Sequence, residues 1–310
     1  MKPTATELLR ASFRFSGDEL DRFIATCPFR YKVYQIPKKN NRGSRTIAHP
    51  SRVLKAVQRT LLSGILNDLL VVHDSAKAYR KGTSIKDNAS PHLDNSFLLK
   101  MDFSDFFPSI KSSDFEILLR EKHKISNPHD INIFKKVFFM KKGEQLVLSI
   151  GSPGSPLISN SMMFDFDRKL SEISQSCGVN YTRYSDDLSF STSTPDILFE
   201  WPSLVRKVLT ELPYPKLSIN VDKTIHSSRK HNRHVTGVTL SSEGKLSLGR
   251  EKKRKIRAQV HQAAKLKPIE LTRLRGSLAF LADIEPESYS KLRARYQDEF
   301  ALIGSDIIKS

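Results

Sequence analysis

The chain has 310 residues, with 51 Lys+Arg against 33 Asp+Glu, a net charge of +18 and a pI near 9.8. An apolar content of 38% excludes a disordered tail, and the length allows one large core or two modest ones. The charge excess draws polyanions, and nucleic acid is the partner that it fits. Cys27 and Cys177 stand alone, so neither a zinc site nor a disulfide framework is expected. The N-terminus lacks the apolar stretch of a signal peptide. The most apolar window, residues 61–72, is interrupted by Asn67 and Asp68 and is too short to span a bilayer. These features predict a cytoplasmic protein with no membrane partner.

Charge is unevenly spread. Residues 22–67 contain no acid and ten basic residues, and residues 250–267 are basic with Glu251 as the one acid. Acids gather mid-chain, at Asp102–Asp105 and Asp186–Asp187. In chain order, residues 1–30 read as short helices, with Ser16-Gly17-Asp18-Glu19 as a helix start. Residues 31–36 alternate like a strand, 37–43 form a turn and 45–48 resume a strand, which makes a basic hairpin. Residues 53–70 carry apolar residues at helical spacing. Residues 97–101 are a buried strand ending at Asp102, and 113–122 and 130–139 are helical. Residues 151–156, with two glycines and two prolines, form a loop before a helix over 157–173. Residues 181–184 and 188–191 are strands joined by Ser185-Asp186-Asp187, a hairpin with carboxylates at its tip. Beyond Gly249 the chain is basic and helical. The order predicts an α+β fold with a sheet core and a helical C-terminal piece.

Asp102 with Asp186 and Asp187 is the strongest chemical constellation. Phosphoryl transfer needs charge neutralisation and in-line positioning more than covalent help. Two Mg²⁺ ions about 3.5–4 Å apart supply both, and magnesium takes hard oxygen ligands, hence carboxylates. A strand-end carboxylate and a pair at a neighbouring hairpin tip can converge on one point. A bare Asp-Asp turn is an ordinary turn; its surroundings decide.

Those surroundings carry a resemblance. Tyr184-Ser185-Asp186-Asp187 resembles the YxDD box of reverse transcriptases, and Met101-Asp102-Phe103-Ser104-Asp105-Phe106-Phe107 resembles their first carboxylate motif. The resemblance implies that Phe107 lies under the incoming sugar and excludes a 2′-hydroxyl. Gly151-Ser152-Pro153-Gly154-Ser155-Pro156 is similar to the family's loop that packs on template and nucleotide, with Gly151 and Ser155 at nucleotide-binding positions; Ile150 stands where many relatives have Gln. Lys223, in Leu217–Thr224, takes the place of a lysine near the pyrophosphate and is a candidate general acid. Arg45 takes the place of the triphosphate-gripping arginine, with Lys38 or Lys39 assisting. The ordered set implies a right-hand polymerase: an N-terminal segment 1–30, fingers and palm 31–240, and a helical thumb 241–310. It also implies an RNA-directed DNA polymerase that uses dNTPs and two Mg²⁺ ions held by Asp102, Asp186 and Asp187.

Two further signatures resemble those of bacterial retron reverse transcriptases: Asn88-Ala89-Ser90-Pro91-His92, an NAxxH pattern, and Val235-Thr236-Gly237, a VTG pattern. This branch implies a cognate noncoding RNA as partner, and synthesis starting from one of its 2′-hydroxyls to give branched RNA–DNA. It also implies an antiphage setting with an effector protein. Asn88, His92, Val235, Thr236 and Gly237 are the candidate RNA contacts, together with Lys252, Lys253, Arg254 and Arg257 on the thumb. Asn88 and His92 read equally well as a hydrogen-bonded support of the palm, and the four basic residues as a solvated helix face. Rival readings are a group II intron-like or diversity-generating polymerase, and a non-catalytic scaffold, which three intact carboxylates argue against.

Overall fold

A computed structural model describes residues 3–37 and 43–304. Capping boxes Thr4/Glu7 and Ser16/Glu19 start helices Ala5–Phe13 and Gly17–Thr26, each satisfying two otherwise orphaned backbone donors. β1 (Tyr31–Pro37) and β2 (Ser44–Pro50) pair antiparallel in the expected hairpin. β1 is almost wholly exposed; the base of β2 is not, because Ala48 N–H donates to the Ile150 carbonyl at 2.9 Å. The helix expected over 53–70 is Arg52–Leu61, widened into a π-helical segment at Leu62–Leu66 before Asn67–Leu69. At the widening, Gly64 lies so close to the first helix that a Cβ would sit 2.5 Å from Leu8 Cδ2.

β3 (Phe97–Ser104) is the central strand, and its period-2 alternation organises the molecule. Leu99, Met101 and Phe103 face one hydrophobic core, whereas Leu98 is buried in a second. Lys100 and Asp102 share the Leu98 face. β4 (Met140–Lys142) and β5 (Gln145–Val147) form a small hairpin. The helix expected over 157–173 is two, Ser155–Met162 and Phe164–Ser176, broken at Met163; the second packs on the sheet through Phe166 and Leu170. β6 (Asn180–Tyr184) and β7 (Asp187–Thr192) form the carboxylate hairpin, and β7 pairs with one edge of β3. β8 (Ser218–Ile219) and β9 (Ile225–Ser228) share its other edge. The sheet is antiparallel throughout.

β10 (Arg233–Val235), β11 (Val238–Leu240) and β12 (Leu246–Ser247) form a separate meander. It closes the second core with helices Arg250–His261, Pro268–Ile284, Pro286–Arg295 and Gln297–Ile303. The basic, helical C-terminal piece read from the sequence is therefore present, and the strands just before it share its core.

The loop at residues 151–154 docks by close backbone approach. A Cβ on Gly154 would lie 2.3 Å from Phe138 Cδ1, on a ring that is fully buried. Gly154→Ala should lower stability by about 1–3 kcal/mol through overpacking, whereas Gly64→Ala, which meets only the end of a half-buried leucine, should cost less. Thermal unfolding measures both; an unchanged Tm for Gly154→Ala would mean that Phe138 yields freely.

Candidate active site

Asp102 and Asp187 face each other directly across the β3–β7 ladder, where like charges destabilise a sheet pair. Asp186 occupies the turn, and its carbonyl accepts from Phe103 N–H at 3.1 Å. Ser185 carries φ +61 at the first central residue of this hairpin turn, a position that usually takes glycine. Its strain is held from beneath. Arg183 Nη1 donates to the Ser185 carbonyl at 2.9 Å, and the same guanidinium forms a two-point ion pair with Asp167 at 2.8 and 2.6 Å. Arg183 and Asp167 are both completely buried; Tyr181 Oη donates to Asp167 and Arg183 also reaches Asn160. Sequence reading missed this network. Its signal is an arginine two residues from Tyr181 on the inward face of a strand, paired with an acid in the facing helix.

The carboxylates strain one another. Burial, then the charges of Asp186 and Asp102, push Asp187 up to about 7, with Lys223 opposing. Burial and the charge of Asp102 likewise raise Asp186, with Lys223 and Arg45 pulling it back. Lys223 Nζ lies 2.9 Å from Asp102 Oδ1. No group of three or more His, Cys, Asp or Glu side chains among the described residues is arranged as a ready metal site. The donor chemistry still fits a divalent cation: three hard carboxylates converge, and their mutual repulsion is what bound positive charge relieves.

A cavity of about 530 Å³ opens over this point, lined by Lys100, Asp102, Tyr184, Asp187, Lys223 and the Thr236-Gly237 turn among others. The structure thus brings together Asp102, Asp187, Lys223, Thr236 and Gly237, with Asp186 at the adjoining tip. Phe107 lies outside that lining, half-buried against Phe106 in the short helix Phe106–Ser109. Arg45 is exposed on β2. Gly151, φ +121, abuts the Ala48 carbonyl, where a Cβ would be at 3.1 Å. Ser155 is buried, its hydroxyl donating to the Ser149 carbonyl at 2.7 Å. Lys38 lies outside the described residues.

Three residues expected to contact RNA are buried. His92 is fully buried, its ring nitrogens 2.7 Å from Ser191 Oγ and 2.8 Å from Thr182 Oγ1, and burial lowers its pKa to about 3. Asn88 and Val235 are buried as well. These residues support the sheet and the meander and present nothing to a solvent-borne RNA. Two of the four thumb cations also have internal partners: Lys252 Nζ donates to the Gly237 carbonyl at 2.9 Å, and Lys253 to Glu285 at 2.8 Å. Arg254 and Arg257 are exposed.

A family model described as "Reverse transcriptase (RNA-dependent DNA polymerase)" matches residues 36–240. The chain is 41% identical to the Retron Ec83 reverse transcriptase of Escherichia coli over 90% of this chain and 89% of that protein. It is 33% identical to the Retron Ec86 reverse transcriptase of the same organism, over 90% and 84%. Among solved structures, the foamy viral protease-reverse transcriptase in complex with double-stranded DNA matches at 14% identity and a TM-score of 0.45; it covers 90% of this chain, which spans only 43% of that longer one. The fold is that of an RNA-directed DNA polymerase of the right-hand α+β class. The chain belongs to the retron reverse transcriptases. Membership carries a general dependence on divalent metal and nucleic-acid partners. No helix among the described residues is long and apolar enough to cross a membrane.

The raised Asp187 value means that its ionised form is worse off folded than unfolded, so at neutral pH and above the charge costs stability. The side chain opens onto the cavity, and water screens part of that cost, leaving on the order of 1 kcal/mol. Asp187→Asn should therefore raise the Tm of chelator-treated protein by a few degrees and blunt the further rise that divalent ions give the parent. A lower Tm for the variant without metal would show that the carboxylates do not repel as described.

Proposed function

We propose that this protein is the polymerase of a retron. It copies its cognate noncoding RNA from one of that RNA's own 2′-hydroxyls, and it yields branched RNA–DNA. The observation that carries this reading is the register Asp102↔Asp187 with Asp186 at the adjoining tip, in a chain 41% identical to a retron enzyme. The fingers and palm correspond to residues 31–240 and the thumb to 241–310. Asp102, Asp186 and Asp187 hold the metal, taken to be two Mg²⁺ ions. When bound, these ions activate the attacking hydroxyl and neutralise the leaving pyrophosphate.

The chain's own residues do the rest. Lys223, tethered to Asp102 in this state, has an ammonium that can swing to the departing pyrophosphate and supply its proton. Arg45 brings a guanidinium fork to the triphosphate oxygens; its charge already reaches Asp186. Phe107 offers a ring edge where a ribonucleotide's 2′-hydroxyl would stand. Gly151 keeps the 151–156 loop seated on β2, so that loop and basic hairpin present one surface to the nucleotide. An antiphage setting with a neighbouring effector is part of the same proposal and rests on the resemblance to the retron branch.

Incubating purified protein with its native RNA and dNTPs should give a DNA product whose RNA end resists removal by enzymes specific for 3′,5′ linkages. Asp186→Asn should keep the fold and RNA binding and lose synthesis by at least a thousandfold, because an amide cannot balance divalent charge. Near-parental synthesis by that variant would remove Asp186 from the mechanism.

Arg254 and Arg257, exposed on the first thumb helix, are the thumb cations proposed to contact phosphate. Replacing both with Gln should flatten the slope of log affinity against log salt by up to about two units and reduce self-primed product more than extension of a supplied primer–template at low salt. An unchanged slope would make them a solvated face.

A further inference from the structure

Asn88 is an expensive residue to bury. It is 1% exposed; among the described residues its Oδ1 has no hydrogen-bond partner, and its side chain makes one hydrogen bond, Nδ2 to Thr236 Oγ1 at 3.3 Å, across 148 residues of sequence. A buried amide with an unpaired acceptor weakens a fold compared with an apolar side chain of the same shape. What it secures is position. Asn88 lies in helix Ile85–Ala89, which is fastened to the functional face of the sheet: Thr182 Oγ1 donates to the Asn88 carbonyl, and His92, four residues on, clamps Thr182 and Ser191.

The residue it reaches is under strain. Thr236 has φ +47, a left-handed conformation that β-branched residues avoid, and Gly237 follows at φ +82. Val235 and Val238, both fully buried, anchor the ends of this two-residue turn, and Lys252 Nζ ties its Gly237 carbonyl. Neither the Thr236 nor the Gly237 N–H has a partner among the described residues. Both residues line the cavity with Asp102, Asp187 and Lys223. The turn thus brings a hydroxyl and two backbone amides, unpartnered among the described residues, to the edge of the site, a set of donors suited to sugar and phosphate oxygens.

We propose that Asn88 is a positioning residue: it bridges the sheet to the meander and sets the Thr236 hydroxyl at the cavity edge, so that the turn seats the sugar–phosphate of the strand whose hydroxyl starts synthesis. The inference rests on the reading that this enzyme starts on its own RNA. The two short motifs then work as one unit, with the first acting through the second and never touching the RNA.

The test is a double-mutant cycle of Asn88→Ala and Thr236→Val, with Thr236→Ser as the conservative variant, on the full chain with native RNA and with a supplied primer–template. Unfolding temperatures of all variants are measured alongside. Asn88→Ala and Thr236→Val should each cut branched product about tenfold. Each should raise KM for the primer–template severalfold, with a smaller change in kcat. The double variant should be no worse than Thr236→Val alone, and Thr236→Ser should recover most of the activity. Losses that multiply in the double variant, a kcat defect that simply follows the fall in Tm, or no recovery with Thr236→Ser would each overturn the proposal. Absence of branched product from the parent protein would instead defeat the underlying reading, and the KM comparison on supplied primer–template would still judge the role of Asn88.

Discussion

Three carboxylates crowd one end of a sheet, and something must hold the backbone that carries them against their repulsion. That task falls to the buried pair of Arg183 and Asp167. A guanidinium with no exposed surface is tolerable only when each side of its planar fork is met. Asp167 meets one side with two oxygens, and Asn160 and the Ser185 carbonyl meet the other. The pair ties a helix of the first core to the peptide that turns between Tyr184 and Asp187. A strained turn with acids at its tip persists because the guanidinium beneath it is held by the turn's own carbonyl and balanced by Asp167.

β3 adds the second constraint. Its neighbours on both edges leave no freedom of register, since a one-residue slip would send Asp102 into the first core and Leu99 to the cavity. The same alternation on β7 buries Leu188 and Phe190 and turns Asp187, Ser189 and Ser191 to the opposite side. One face of the sheet is thus apolar and mechanical, the other polar and chemical, and the second core closes over the far end of the polar face through Leu98.

Much of this was legible in the sequence. A short apolar run over residues 97–101 ending in an acid, an Asp-Asp turn between two short strands, and the motif order around them pointed to the sheet, the hairpin and the three aspartates. The two long helices were legible only in outline. The π-helical turn at Leu62–Leu66, where Gly64 lies against Leu8 of the first helix, and the break at Met163 leave no mark in the local apolar periodicity. Burial of polar residues was the larger gap. Nothing local distinguishes His92, locked between two hydroxyls, from a histidine offered to RNA, and nothing local shows that Lys252 and Lys253 are committed to a carbonyl and a carboxylate. Such residues advertise charge or hydrogen bonding, and only the tertiary fold reveals where it is spent.

The locked histidine has a consequence for acid. Its folded pKa, near 3, lies well below the ordinary value of 6.5, so the unfolded chain takes up a proton that the folded one refuses. The stability it contributes is complete above pH 6.5 and drains away as pH falls from there toward 3. Because His92 pins β6 and β7 to the segment that reaches the meander, the seam between the two cores carries its own acid-labile latch.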